Sequence, residues 1–82
     1  MSRLWLDTAV WYAALDPREE WHALAVECWR AAMADGVRLH TSELVLAETH
    51  ALVSCRLSPS AGAALLEAVE RDPAIDVHEI GA

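Results

Sequence analysis

Residues 37–53 read VRLHTSELVLAETHALV, and this stretch predicts the fold class of the chain. Residues 37–41 alternate apolar and polar side chains, as a β-strand does. Ser42 then occupies the position of a helix N-cap, and the apolar run after it predicts a helix with Glu43 in its first turn. A strand that passes directly into a helix is the repeating unit of an α/β protein.

A strand and a helix are also predicted at the start of the chain. Residues 3–6 contain a continuous apolar run, which predicts a short buried strand. Asp7 or Thr8 then lies where an N-cap is expected, and the helix is predicted to run to about Leu15. The Asp-Pro pair at 16–17 ends that helix, because proline disfavours the helical conformation in the residue before it.

The region between these two units has the clearest helical period in the sequence. Apolar side chains recur there every three or four residues on one helix face, at Trp21, Leu24, Ala25, Cys28, Trp29 and Ala32. Gly36 suits the position just after the helix end. Because Cys28 lies on this stripe, it is predicted to be a buried free thiol, and Trp21 and Trp29 are predicted to pack in the core.

The rest of the chain predicts one more helix and one more strand. The helix that follows Ser42 ends near residue 55, and Ser58-Pro59 begins the next one as an N-cap followed by proline. Asp72-Pro73 stops that helix, and residues 75–80 are predicted to form a third strand. The order β-α-α-β-α-α-β favours parallel strands with right-handed crossovers in a single α/β domain.

Acidic side chains dominate the charge of the chain. Its 82 residues include 13 acids against six arginines and no lysine, a formal charge of −7. This is not in itself a nucleic-acid footprint, because phosphate binding requires a basic patch, but it fits metal binding or a positively charged partner. No apolar stretch reaches the ~20 residues that span a bilayer, and no signal-peptide pattern is present, so a cytoplasmic protein without a membrane segment is expected.

Two carboxylates border apolar runs without a nearby cation. If residues 44–52 are helical, Leu44, Glu48 and Leu52 stack on one face, where an unpaired carboxylate is costly. Asp7 follows the first strand and Glu48 follows the second within two helical turns, so both can reach the edge where parallel sheets bind ligands. The pair suggests a site for a divalent cation. Helix capping by Asp7 and a solvated boundary position for Glu48 are the simpler alternatives.

Three segments of the sequence resemble the motifs of PIN domains. Residues 4–10, LWLDTAV, resemble the opening strand of that family, which ends in Asp followed by Thr or Ser. Residues 15–25, LDPREEWHALA, look like the start of its next helix, and residues 41–48, TSELVLAE, resemble its second acidic motif. The element order agrees along the whole chain. The resemblance implies a PIN-like three-layer α/β/α fold with a parallel sheet.

The resemblance also implies a function. PIN domains are Mg²⁺- or Mn²⁺-dependent ribonucleases, and many are the toxins of VapC-type toxin–antitoxin pairs. Asp7 and Glu48 then correspond to the first two acids of the catalytic metal site, and Thr8 would orient them. The implied partners are an RNA substrate, a cognate antitoxin and a second copy of the chain in a homodimer.

The match departs from the family at its end. Complete PIN domains continue past the third strand and carry one or two further acidic motifs, whereas this sequence stops at Ala82. Asp72, Asp76 and Glu79 come too early in the fold to replace those acids. We therefore expect residues 1–82 to be the N-terminal portion of a truncated PIN domain with little or no nuclease activity alone. The alternative is a non-catalytic remnant that acts only in protein–protein interaction.

Overall fold

Seven secondary-structure elements follow one another in the order that the sequence predicts. The computed structural model describes residues 3–79. The elements are β1 (Arg3–Trp5), α1 (Thr8–Leu15), α2 (His22–Ala34), β2 (Arg38–Ser42), α3 (Glu43–Arg56), α4 (Pro59–Arg71) and β3 (Ile75–His78). The third strand was predicted to reach residue 80, which lies outside the described residues. No helix in this part of the chain is long and apolar enough to cross a membrane.

The three strands form one parallel sheet with β2 in the middle. Leu4 pairs with Leu39, and Leu39 pairs in turn with Ile75. Two helices connect each strand to the next, because parallel strands need a long crossover rather than a tight turn. The predicted α/β class with a parallel sheet is therefore confirmed.

Side-chain caps fix the N-termini of three helices at the predicted positions. Asp7, Ser42 and Ser58 each accept a hydrogen bond from the backbone N–H three residues further on, at 2.9, 3.1 and 3.0 Å. Each cap satisfies an N–H that the helix itself leaves without a partner. Gly36, two residues after α2, has a φ of 69°, a conformation that glycine adopts without strain.

The core lies between the helices and the face of β2 that carries Leu39 and Thr41. Its apolar side chains are Leu6, Trp11, Tyr12, Ala32, Leu39, Val53, Leu65 and Val69. Thr41 is the polar link in this core: its Oγ1 accepts a hydrogen bond from Trp11 Nε1 and donates one to the Leu6 carbonyl, both at 3.2 Å. Because Leu6 directly precedes Asp7, these bonds also fix where Asp7 leaves the sheet.

The first strand is less buried than the sequence predicts. Leu4 is 39% exposed and Trp5 is 56% exposed. Within the described sheet β1 pairs only with β2 and therefore lies at an edge, so its side chains are covered on fewer sides. The Trp5 indole lies against the imidazole rings of His40 and His78, with ring centroids 5.1 and 4.7 Å away.

The apolar stripe of α2 is only partly buried. Ala32 belongs to the core, and Trp29 packs edge-on against Trp11 with ring centroids 5.0 Å apart. Trp21 is 62% exposed, however, and Cys28 is an exposed free thiol. The predictions that Trp21 and Cys28 are buried are therefore wrong. The main helix contact of α2 in the described structure is with α1, so much of the stripe has no element to pack against.

Candidate functional site

Asp7 lies where β1 passes into α1, at the carboxyl end of the strand. One of its oxygens, Oδ1, accepts a hydrogen bond from the Val10 backbone N–H at 2.9 Å. The capping role that the sequence left open is therefore present. The side chain is nevertheless exposed, and no hydrogen bond to Oδ2 is found among residues 3–79. One carboxylate oxygen is held by the helix, and the other is accessible to a ligand.

Glu48 lies on the exposed face of α3. The buried side chains of this helix are Thr49 and Val53, whereas Leu44 is 55% exposed. The predicted core face through Leu44, Glu48 and Leu52 is therefore wrong. The face that is buried lies about one residue further around the helix, at Thr49 and Val53. Thr49 can be buried because its hydroxyl donates to a backbone carbonyl one turn earlier, at 2.7 Å. Because the Glu48 side chain is exposed to solvent, its charge carries no cost of burial.

Thr8 brings the two acids to the same part of the molecule. Its Oγ1 donates to Glu48 Oε1 at 3.5 Å, across 40 residues of sequence. This distance is at the outer limit of a hydrogen bond, so the bond itself is weak. Since Thr8 directly follows Asp7, the contact places the end of β1 and the second turn of α3 side by side. The two elements that the sequence expected at one edge do meet there.

Neither acid is neutralised by a basic side chain in the described part of the chain. The ion pairs to arginine involve other carboxylates, namely Asp16, Asp76 and Glu67. Asp7 and Glu48 therefore add two uncompensated negative charges to the same surface. Such a surface attracts cations and repels phosphate unless a cation is present.

The chemistry of these donors fits a hard divalent cation. Two carboxylates supply oxygen ligands, which Mg²⁺ prefers, and Mg²⁺ commonly keeps several of its waters when protein carboxylates hold it. No group of three or more metal-ligating side chains is found within residues 3–79. The residues present thus fit one part of a metal site.

A hydrogen-bonded network behind the site fixes α1 relative to α3. Asp16 is buried at the end of α1, where it accepts the Tyr12 hydroxyl at 2.6 Å. Arg18 contacts both oxygens of Asp16, at 3.0 and 3.1 Å. Arg18 also donates to the backbone carbonyl of Arg56 at 3.2 Å, which ties this corner to the last turn of α3. The Thr8–Glu48 contact lies on the same helix pair and depends on its alignment.

Hydrogen bonding shifts the titration of this network. The bonds from Arg18, and then the bond from Tyr12, hold the pKa of Asp16 well below its usual range. The same Asp16 carboxylate raises the pKa of Tyr12, because it accepts a hydrogen bond from the protonated phenol. From the sequence, Asp16 was predicted to end a helix, and its contacts with Tyr12 and Arg18 were not predicted. The four-residue spacing from Tyr12 was the only signal of a contact between them.

A second polar cluster joins β2 to β3. Arg38 contacts Asp76 at 2.6 and 2.9 Å, and this pairing holds the pKa of Asp76 below its usual range. His40 Nδ1 and His78 Nε2 lie 2.8 Å apart and share a hydrogen bond. The Asp76 carboxylate is therefore paired with the Arg38 guanidinium, whereas Asp7 and Glu48 form no ion pair among the described residues.

Two concave regions adjoin the helices. The first is an apolar cavity of about 540 Å³ whose lining includes Trp29, Val53 and Leu65. The second is a groove of about 490 Å³ between α1 and α3, and its lining includes Thr8 and Arg56. The second region therefore opens directly beside the candidate metal site.

Comparison with known proteins identifies the fold. No protein-family model and no curated protein matches the sequence. VapC20 of Mycobacterium tuberculosis, a toxin that cleaves the sarcin-ricin loop, has a similar solved structure with a TM-score of 0.82 and 24% sequence identity. The match covers 96% of this chain and 58% of the VapC20 chain. The chain thus has a VapC-like PIN fold, as the sequence predicted, over little more than half the length of VapC20.

Proposed function

We propose that residues 1–82 form the N-terminal portion of a PIN-type endoribonuclease that depends on Mg²⁺ or Mn²⁺. The observation that carries this proposal is the Thr8–Glu48 contact, because it brings Asp7 and Glu48 to one edge without a neutralising cation. The fold likeness to VapC20, a toxin that cleaves the sarcin-ricin loop, supports RNA as the substrate class. It also supports a role as the toxin of a type II toxin–antitoxin pair.

Each residue of the site has a distinct proposed role. Asp7 would hold the cation through Oδ2, since Oδ1 is occupied by the Val10 N–H. Glu48 would hold it through the oxygen that Thr8 does not contact, and Thr8 would fix the orientation of that carboxylate. A divalent ion in this position lowers the pKa of a bound water and stabilises negative charge on the phosphate.

The two acids alone make a weak site. Affinity for a hard cation grows with the number and rigidity of charged ligands, and this chain supplies two carboxylates. We therefore expect the 82-residue chain to show little or no turnover, with stronger activity in a domain that adds further acids.

Exposed apolar side chains support binding partners as well. Leu24 and Leu44 are 56% and 55% exposed, although large exposed aliphatic groups are unfavourable in water. Exposed apolar side chains mark a protein interface where they form a contiguous patch. A cognate antitoxin and a second copy of the chain are the proposed partners. The same observation supports the second candidate function, a non-catalytic chain that acts only in protein–protein interaction.

A single-turnover assay tests the proposed activity. The pure chain, in excess over an end-labelled RNA, is incubated with Mg²⁺, with Mn²⁺ or with EDTA. We expect slow cleavage that requires the metal, is lost in Asp7→Asn and Glu48→Gln, and persists in Glu43→Gln, an exposed acid on the same helix. Circular dichroism confirms that each variant is folded.

The other outcomes separate the alternatives. Cleavage that persists in EDTA or in Asp7→Asn contradicts the proposed site. Complete absence of cleavage favours the interaction-only function only if Mn²⁺ binding that depends on Asp7 and Glu48 is absent as well. Rapid metal-dependent cleavage that Asp7→Asn abolishes supports the nuclease but contradicts the expectation that two acids are insufficient.

A further inference from the structure

A groove leads away from the candidate metal site along the α1–α3 pair. We define the α1–α3 groove by Thr8, Leu52 and Arg56 along the two helices and by Glu20 and Trp21 on the loop before α2. Thr8 marks the end beside Glu48, and Arg56 lies eight residues further along α3. At 1.5 Å per helical residue this is about 12 Å. The groove therefore extends past the position of a single phosphate at the metal site.

Arg56 provides a positive charge in this groove. Arg18, Arg38 and Arg71 are paired with carboxylates, whereas Arg56 forms no ion pair among residues 3–79. Its guanidinium lies 5.3 Å from the centre of the Tyr12 ring, which steadies the side chain without neutralising it. A guanidinium in this state is well suited to a phosphate, because its N–H groups match two phosphate oxygens.

Trp21 provides an exposed aromatic surface at the same groove. It is 62% exposed, the largest exposed fraction of any large apolar side chain among the described residues. It also lies just before α2, where the chain turns beside α1. Single-stranded nucleic acids bind where a cationic groove is combined with aromatic side chains, because bases stack on the aromatic rings. Arg56 supplies a positive charge and Trp21 supplies the aromatic ring, in a lining that also carries the carboxylates of Glu19 and Glu20.

We propose that the α1–α3 groove binds the single-stranded RNA that adjoins the phosphate to be cut, with Arg56 against a phosphate and Trp21 against a base. This inference rests on the proposed nuclease function and adds the residues that position the substrate. Glu19 and Glu20 also line the groove, and their charge opposes a phosphate on that side. Their repulsion directs the phosphates toward Arg56 and limits the overall affinity.

The test is the binding of a short, fluorescently labelled single-stranded RNA, followed by anisotropy with Ca²⁺ in place of the catalytic metal. Arg56→Gln should weaken binding about fivefold and reduce the slope of log K against log salt by about 0.7, the share of one phosphate contact. The matched control is Arg30→Gln, which removes the same charge from α2 outside the groove. Arg56→Lys keeps the charge but loses the two-point match to phosphate, so its affinity should lie between those of the wild type and Arg56→Gln.

Trp21 and Glu20 provide two further comparisons. Trp21→Ala should weaken binding about tenfold, as the loss of one stacked base does, whereas Trp21→Phe should retain stacking. Leu24→Ala is the control, because Leu24 is similarly exposed on α2 but does not line the groove. Glu20→Gln should tighten binding about twofold, whereas Glu27→Gln, with the same charge change outside the groove, should do so less.

The result decides the proposal separately from the nuclease function. If Arg56→Gln and Arg30→Gln weaken binding equally, only net charge matters and the groove assignment is wrong. It is also wrong if Trp21→Ala binds as the wild type does, or if the wild-type chain binds no RNA. Metal-dependent cleavage that Asp7→Asn abolishes would leave the proposed function standing if only the Arg56 or Trp21 comparison fails.

Discussion

Replacing Thr41 by valine should destabilise the protein strongly although the side chain keeps its size. Thr41 is fully buried and its hydroxyl serves two partners at once, the Trp11 indole N–H and the Leu6 carbonyl. Valine has the same branched shape but cannot form either bond. The substitution therefore leaves a buried donor and a buried acceptor without that partner, at the point where β1 leads to Asp7.

The expected loss follows from these two groups. A buried polar group left without a partner costs about 1–3 kcal/mol, so the two groups together should lower the free energy of unfolding of Thr41→Val by about 2–6 kcal/mol. A domain of 82 residues has a total stability of about 4–12 kcal/mol at the usual 0.05–0.15 kcal/mol per residue. The melting temperature should fall by at least about 8 °C, since 1 kcal/mol corresponds to about 4–8 °C at this size.

Thr49→Val is the matched control. Thr49 is also fully buried, but its hydroxyl donates only to the Val45 carbonyl, which lies one helical turn away in α3. That carbonyl keeps the backbone hydrogen bond of the helix when the hydroxyl is removed, and no buried donor is left without a partner. The cost should stay below about 1 kcal/mol.

Urea denaturation followed by circular dichroism measures both variants. This signal is preferred because it does not depend on the Trp11 environment, which the mutation changes. Equal losses for Thr41→Val and Thr49→Val, or a larger loss for Thr49→Val, would refute the claim that Thr41 holds Leu6 and Trp11 in place.

Two further predictions concern the helix contacts around the site. Hydrogen bonding holds the pKa of Asp16 below its ordinary value of 3.8, so the Asp16 carboxylate stabilises the folded state above that pH and this contribution fades as the pH falls. Asp16→Asn should therefore be clearly less stable than the wild type at pH 7. The difference in melting temperature between the two proteins should shrink below about pH 4. A pH-independent difference would contradict this. Gly62 lies where an added Cβ would collide with Ser54 Oγ, so Gly62→Ala should lower the melting temperature despite the better helix propensity of alanine. In a Ser54→Gly background the same change should be much less harmful, and an equal penalty in both backgrounds would count against the collision.

Local sequence signals predicted the elements and their order. Three helix starts could be predicted from the N-cap residues Asp7, Ser42 and Ser58, because a cap depends only on residues within one turn. The Asp-Pro pairs at 16–17 and 72–73 likewise mark the ends of α1 and α4. Strands separated by helices then left few topologies other than a parallel sheet.

Burial could not be predicted as well, because it depends on neighbours that are distant in sequence. The α3 sequence is apolar nearly all round, so its pattern could not select Thr49 and Val53 over Leu44 as the buried face. The exposure of Trp5 follows from the edge position of β1, which depends on strand order. Trp21 is exposed because α2 packs mainly on α1.

The candidate site was predicted in part. The sequence placed Asp7 and Glu48 near one edge from the strand-to-helix order alone, and the Thr8–Glu48 contact supports that placement. The network of Asp16 and Arg18 was missed, because its link to the Arg56 carbonyl spans 38 residues. No local pattern encodes such a contact.

The central claim is that Asp7 and Glu48 bind one divalent cation together. Electron paramagnetic resonance can test this claim by measuring the binding of Mn²⁺ to the pure chain, without requiring turnover of RNA. We expect one weak site, with Asp7→Asn and Glu48→Gln each lowering the Mn²⁺ affinity about tenfold. Glu43→Gln, which removes an equal charge from the start of α3, should leave the affinity nearly unchanged. The double variant should lose less than the two single losses combined, because both ligands serve the same ion. Mn²⁺ affinity that is the same in Asp7→Asn as in the wild type would contradict the account.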